Sequence, residues 1–185
     1  FVHSNEPDTV CHMFGPDAME TRERIRKTDA ALGTLVERCK PDWDDTVIIV
    51  VSDHDQEEVV EYGYDLADVL SQKGLPGVVE NEGTCAVVVD GPNTNTLMSF
   101  DEIEGASILD DRHTLVWGKS GHIFGPWLED FHGSHGSPRT STQVAVVGGG
   151  HPKVNELANL ISKERPSAVD WAWHINGILE LSLKG

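Results

Sequence analysis

The sequence predicts an α/β fold, a three-layer sandwich with a mostly parallel central sheet between helices, and three observations carry that expectation. Short runs of β-branched residues occur without polar alternation, as strands buried on both faces require. Between them lie stretches whose apolar residues recur near the 3.6-residue helical period. The two kinds of segment alternate along the chain and are separated by Gly, Pro and Asp, the pattern of strand and helix layers wound together.

The elements follow in order. Phe1-Val2-His3-Ser4 reads as the tail of a first strand already in progress, which suggests an internal or C-terminal piece of something longer. A helix is expected from about Ala18 to Cys39, where Ile25, Ala31, Leu32, Leu35 and Val36 share a face, and Pro41 ends it. Val47 to Val51 is a strand bounded by Asp44-Asp45 and Ser52-Asp53-His54. Leu66 to Leu70 suggests a helix closed by Gly74, and Ala86 to Val89 a buried strand stopped by Asp90-Gly91-Pro92. Thr114 to Trp117 and Gln143 to Val147 are further strands. Gly148-Gly149-Gly150 lacks the Lys-Ser/Thr of a phosphate-cradling loop and reads as a plain turn into a helix from Lys153 to Lys163. A last helix is expected over Ala168 to Leu181.

Composition narrows the function classes. With 14 basic and 31 acidic side chains the formal charge is −17, so no basic stripe can form to release counterions from a nucleic-acid polymer. Binding to an anionic membrane surface is disfavoured for the same reason. No apolar run approaches the ~18 residues of a membrane span. Three cysteines (Cys11, Cys39, Cys85) form no C-x-x-C pair, which indicates neither a disulfide framework nor a thiolate zinc site and leans toward a reducing, cytoplasmic compartment. The apolar fraction of 38 %, supplemented by 18 glycines, is that of a folding chain of one domain.

Sheets of this class present ligands at strand ends, and three clusters there contain acids and histidines: Glu6-Pro7-Asp8 with His12, Ser52-Asp53-His54-Asp55, and His132-Gly133-Ser134-His135-Gly136. Each has a plain alternative: a turn cap for Asp53-His54, a surface pair on an irregular loop for Asp8 and His12, a loop residue for His135. Together, carboxylates and neutral imidazoles make the natural ligand mixture for divalent transition metals. His3, His113 and His122 are extra histidines, His151 before Pro152 reads as a turn residue, and His132 is a neighbour of the third cluster. Ser134 and Ser137 sit in no G-x-S-x-G nucleophile elbow.

In that order, Glu6-Pro7-Asp8, His12, Gly15-Pro16, Ser52-Asp53-His54 and Gly133-Ser134-His135-Gly136 resemble the C-terminal half of the alkaline phosphatase superfamily, in its type I phosphodiesterase/nucleotide pyrophosphatase branch. The resemblance runs from Asn5 to Val169-Asp170. It implies that Asp8, His12 and His135 hold one metal ion, and that Asp53 and His54 form part of the site for a second. Both ions would be divalent, zinc first and manganese second. It further implies hydrolysis of a small phosphoric ester by in-line displacement, with a Thr or Ser nucleophile and a further Asp ligand contributed by an N-terminal half that this chain does not contain. Residues 1–185 would then be the C-terminal portion of one phosphoesterase domain, inactive alone. A phosphonate or phosphomonoester hydrolase of the same superfamily, or a non-catalytic binding module that kept the fold, are the alternatives. Three positions depart from the family pattern: Cys11 and Asp55 stand where Gly is usual, and Trp171-Ala172-Trp173-His174 replaces a proline-threonine helix start.

Overall fold

The computed structural model describes residues 1–125 and 130–179. Its elements are α1 (Glu6–Phe14), α2 (Met19–Cys39), β1 (Ile48–Val51), β2 (Glu57–Glu58), β3 (Glu61–Tyr64), α3 (Leu66–Gln72), β4 (Val78–Glu82), β5 (Cys85–Val89), α4 (Thr94–Leu97), β6 (Ile103–Ile108), β7 (His113–Gly118), β8 (His122–Phe124), β9 (Gly133–Ser134), β10 (Ala145–Gly148), α5 (Lys153–Glu164) and α6 (Trp171–Leu179). The chain divides into two units, one of residues 1–28 and 55–141, the other of 29–54 and 142 onward, with the division falling inside α2.

The first unit is built on a four-stranded antiparallel sheet in the order β4-β5-β7-β6. β4 and β5 form a hairpin in which Glu82 pairs with Cys85 across the turn Gly83-Thr84. Leu66 and Leu70 of α3, Ala86 and Val88 of β5, Leu97, Phe100, Ile103, Val116 and Phe124 make its core. Burying the Val, Leu, Ile and Phe side chains among them stabilises the fold by roughly 1.5–3 kcal/mol each. α3 begins where the Asp65 carboxylate accepts from Asp68 N at 3.0 Å, and it ends where Leu75 N reaches back to Leu70 O, with Gly74 beside it at φ +65°. Two short pairings complete the unit: β2 with β9, antiparallel, and β3 with β8, parallel.

In the second unit β1 pairs antiparallel with β10, Ile48 opposite Gly148 and Val51 opposite Ala145, and α5 packs on β10. The glycine run before α5 is a turn in fact: Gly150 N donates to Trp43 O at 2.8 Å, and His151 Nδ1 accepts from Lys153 N at the start of α5.

Several expectations need correction. Among the described strands the pairing is antiparallel in every ladder except β3–β8, so a mostly parallel central sheet is not found. The β-branched run of β1 suggested burial on both faces, yet its residues are half-buried or exposed, because it has one neighbour. Phe1 to Ser4 form no strand and are exposed. β4 and β6 were not anticipated: β4 (Val-Val-Glu-Asn-Glu) and β6 (Ile-Glu-Gly-Ala-Ser-Ile) are too polar or glycine-broken to announce themselves, and it is pairing with β5 and β7 that makes them strands. The final helix is a 3₁₀ turn over Ala168–Asp170 followed by α6; the expected end at Leu181 lies outside the described residues. No helix among the described residues is long and apolar enough to cross a membrane.

Candidate metal centre

Glu6 to His12, for which no helix was expected, are helix. The reasons are legible in the chain: Pro7 fits the first turn, where its missing N–H costs nothing, and Glu6 and Asp8 place negative charge at the positive end of the helix dipole. Gly15, at φ +93°, ends α1 with its N–H on Cys11 O at 2.7 Å, and Pro16 follows. Helicity matters for chemistry because residues four apart share a face. Asp8 and His12 therefore point the same way, with His12 Nε2 3.5 Å from Asp8 Oδ1.

The third member arrives from β9. α1 packs on this strand, with His132 N donating to His12 O at 2.8 Å, and β9 is held on its other side by β2, Glu57 opposite Ser134. The strand then delivers His135, whose Nε2 lies 3.9 Å from Asp8 Oδ1. Its carbonyl is fixed by Thr84 N of the β4–β5 turn at 2.9 Å. That turn sits against β9 closely enough that a Cβ on Gly83, already at φ +76°, would fall 2.6 Å from both His135 O and Ser134 Oγ.

One ligand atom each from Asp8, His12 and His135 lie within 4.8 Å of one another, the only such group of three or more His, Cys, Asp or Glu among the described residues. The donor chemistry fits a divalent cation. His12 Nδ1 is 2.8 Å from Gly133 O, a carbonyl that can only accept, so Nδ1 is the donor and Nε2 is the ring nitrogen turned toward Asp8. The ring is further held by Phe131, whose centroid lies 4.9 Å away, and faces His135 at 5.1 Å. Asp8, His12 and His135 side chains are 43, 17 and 33 % exposed, so the cluster is open on one side and walled on the other. Cys11, adjacent to His12, is not a thiolate: burial, reinforced by Asp8, Asp55 and Asp17, pushes its thiol up to about 11.

Asp53 and His54 lie in the second unit, at the end of β1, with His54 N donating to Asp53 Oδ1 at 3.1 Å and Gln143 Nε2 donating to Asp53 O at 2.7 Å. His113 and His122 pair with Asp110 and Glu102 at 2.7 and 3.1 Å.

Sequence reasoning missed the groups that support the triad. Gln56, one residue ahead of β2, donates through Nε2 to Asp8 Oδ1 at 2.5 Å and to Asp8 O at 3.2 Å. Behind β9, Arg139 donates to Glu57 Oε2 at 2.8 Å, to Gly118 O at 3.0 Å and to Glu104, while Ser137 Oγ donates to Glu57 Oε1 at 2.6 Å. Burial alone would raise the Glu57 carboxyl, but hydrogen bonds from Arg139, Ser137 and Thr84 outweigh it and hold the group below the ordinary carboxylate range. A folded-state value below the unfolded one means a contribution to stability that is complete above the unfolded value and lost as pH falls through the folded one. Arg139→Met is therefore expected to destabilise the protein by about 3 kcal/mol at pH 7, by leaving Glu57 unpaired. Its deficit relative to wild type should shrink toward pH 3, as read by urea unfolding at both values; an equal deficit at the two would overturn the assignment.

A family model for type I phosphodiesterase/nucleotide pyrophosphatase matches residues 1–147. The chain belongs to this family. A search of curated proteins returned no match. Two solved structures of murine ectonucleotide pyrophosphatase/phosphodiesterase 5 share the fold. One superposes with a TM-score of 0.59 at 16 % identity, covering 80 % of this chain and 45 % of that one. The other, an inactive variant in complex with AMP, gives 0.67 at 14 % identity, covering 97 % and 53 %. The chain thus has the α/β fold of those proteins and spans about half their length.

Proposed function

We propose that the chain carries the C-terminal part of a two-metal phosphoric ester hydrolase acting on phosphodiesters or nucleotide pyrophosphates. The observation that carries this reading is the convergence of Asp8, His12 and His135, residues separated by most of the chain, in a family named for that chemistry. The AMP complex of its structural neighbour is consistent with a nucleotide as the small-molecule substrate.

In this reading Asp8, His12 and His135 hold one divalent cation, zinc by preference and manganese as the second choice, and Asp53 with His54 contributes to the second. A bound pair of such ions supplies the positive charge that neutralises a phosphoryl group during in-line displacement. What this chain supplies is the ligand geometry. One carboxylate and two neutral imidazoles carry a single negative charge, leaving an ion of charge two with net positive potential toward an anionic ester despite the −17 of the whole. The Gly133 carbonyl keeps the His12 proton on Nδ1, away from the cluster. The Thr or Ser nucleophile, and the remaining ligand, are contributed from outside these 185 residues.

The test uses the full-length protein with a nitrophenyl phosphodiester, a nitrophenyl monoester and phosphonoacetate. Diester cleavage that disappears on chelation and returns with Zn²⁺ or Mn²⁺ is expected. Preference for the monoester or the phosphonate would place the protein elsewhere in the superfamily, and binding without turnover on any of the three would make it a non-catalytic module.

A further inference from the structure

We infer that Gln56 is a positioning residue for the metal ligand Asp8, a deepening that rests on the function proposed above. Gln56 reaches a ligand atom of the cluster directly: its Nε2 donates to Asp8 Oδ1, the same oxygen that faces His12 Nε2 and His135 Nε2. A second bond from Nε2 to the Asp8 main-chain carbonyl ties the amide to the helix itself. Both acceptors are oxygens, so the amide orientation is dictated: reversing it would set Oε1 against a carboxylate.

Gln56 is placed by elements that also place the histidines. Its own N–H is held by the Asp55 carboxylate at 2.8 Å, and Asp55 N is held by Thr140 O at 2.9 Å. The next residue, Glu57, opens β2, whose partner β9 runs into His135. One short ladder therefore sets the distance from the Gln56 amide to His135, and the amide in turn sets the carboxylate of α1 against it.

The other end of the amide marks Gln56 as more than a packing residue. Its Oε1 is buried and has no hydrogen-bond partner. An unsatisfied buried acceptor costs roughly 1–3 kcal/mol. A residue kept for stability would not leave that cost in place, since an apolar side chain of the same length would avoid it. What the amide supplies and an apolar chain does not is a donor on the ligand oxygen, which orients a carboxylate without competing for the cation, because an amide N–H cannot itself ligate.

The discriminating variant is Gln56→Met, of similar length and with no donor. In the full-length protein it is expected to weaken Zn²⁺ binding by about 10- to 100-fold in competition with a chromophoric chelator, the range for loss of a group that orients a metal ligand. The Tm of the metal-free protein should stay level or rise, and the visible spectrum of the Co²⁺-loaded protein should shift. A fall in metal-free Tm with affinity unchanged within about threefold would make Gln56 merely structural and overturn the inference. Asp8→Asn, run alongside, separates the two levels of the argument. If it removes Zn²⁺ binding while Gln56→Met leaves affinity intact, the positioning role fails alone. If Asp8→Asn also leaves affinity intact, the metal centre itself is wrong.

Discussion

Full-length protein carrying His135→Ala is expected to bind its first divalent cation about 10²- to 10³-fold more weakly, and to lose turnover in proportion at limiting metal. The magnitude follows from sharing out a binding free energy. Protein zinc sites with four donors are worth roughly 10–16 kcal/mol, so one donor carries about 2.5–4 kcal/mol, and each 1.4 kcal/mol is a factor of ten. His135 is the best choice for the measurement because its side chain is a third exposed and its backbone is held independently by Thr84 N. Its truncation therefore leaves the fold in place, in contrast to His12, whose ring is packed on Phe131 and bonded to Gly133 O. Equilibrium dialysis followed by metal analysis gives the affinity, and raising free Zn²⁺ a thousandfold should restore part of the lost turnover. Unchanged affinity in this variant would remove His135 from the site.

The contrast between what was readable in advance and what was not has a physical pattern. Asp8, His12 and His135 were named together because the resemblance to the phosphodiesterase family implied them as ligands of one ion; residue type by itself gave only three separate clusters of acids and histidines. The helix that puts Asp8 and His12 on one face was missed, although Pro7 in its first turn and Gly15-Pro16 after its last were all in view; nine residues give too few turns for an apolar period to emerge. β1, β5, β7 and β10 were visible as β-branched runs, while β4 and β6 owe their strand state to partners. Strand direction was the deeper failure, since an apolar run records burial and says nothing about which way its neighbour runs. Gln56, Glu57 and Arg139 could not be found by type or spacing: a glutamine after an acidic turn looks like surface, and its meaning is a 2.5 Å contact across 48 residues.

The same contrast points to the position where the smallest change should have the largest structural effect. Gly133→Ala adds one methyl group, yet that carbon would stand 2.4 Å from Cys11 O, 3.1 Å from Cys11 C and 2.9 Å from Gln56 Oε1. Two of these three are backbone atoms of α1, which cannot rotate away as a side chain tip can. Either α1 withdraws from β9 or β9 leaves β2, and both moves separate His12 from His135. Overpacking of this kind costs typically ~1–3 kcal/mol. Here it also stretches the bond from His12 Nδ1 to Gly133 O and displaces the one strand that carries His135. The expected result is a fall in Tm of several degrees together with at least a tenfold loss of Zn²⁺ affinity, although no ligand has been touched. Gly63→Ala controls for the loss of a glycine as such, because nothing lies within 4 Å of its Cβ position; at φ +80° it should lower Tm through backbone strain while leaving metal affinity near wild type. If Gly133→Ala behaves like that control, α1 and β9 are not the clamp that gathers the triad.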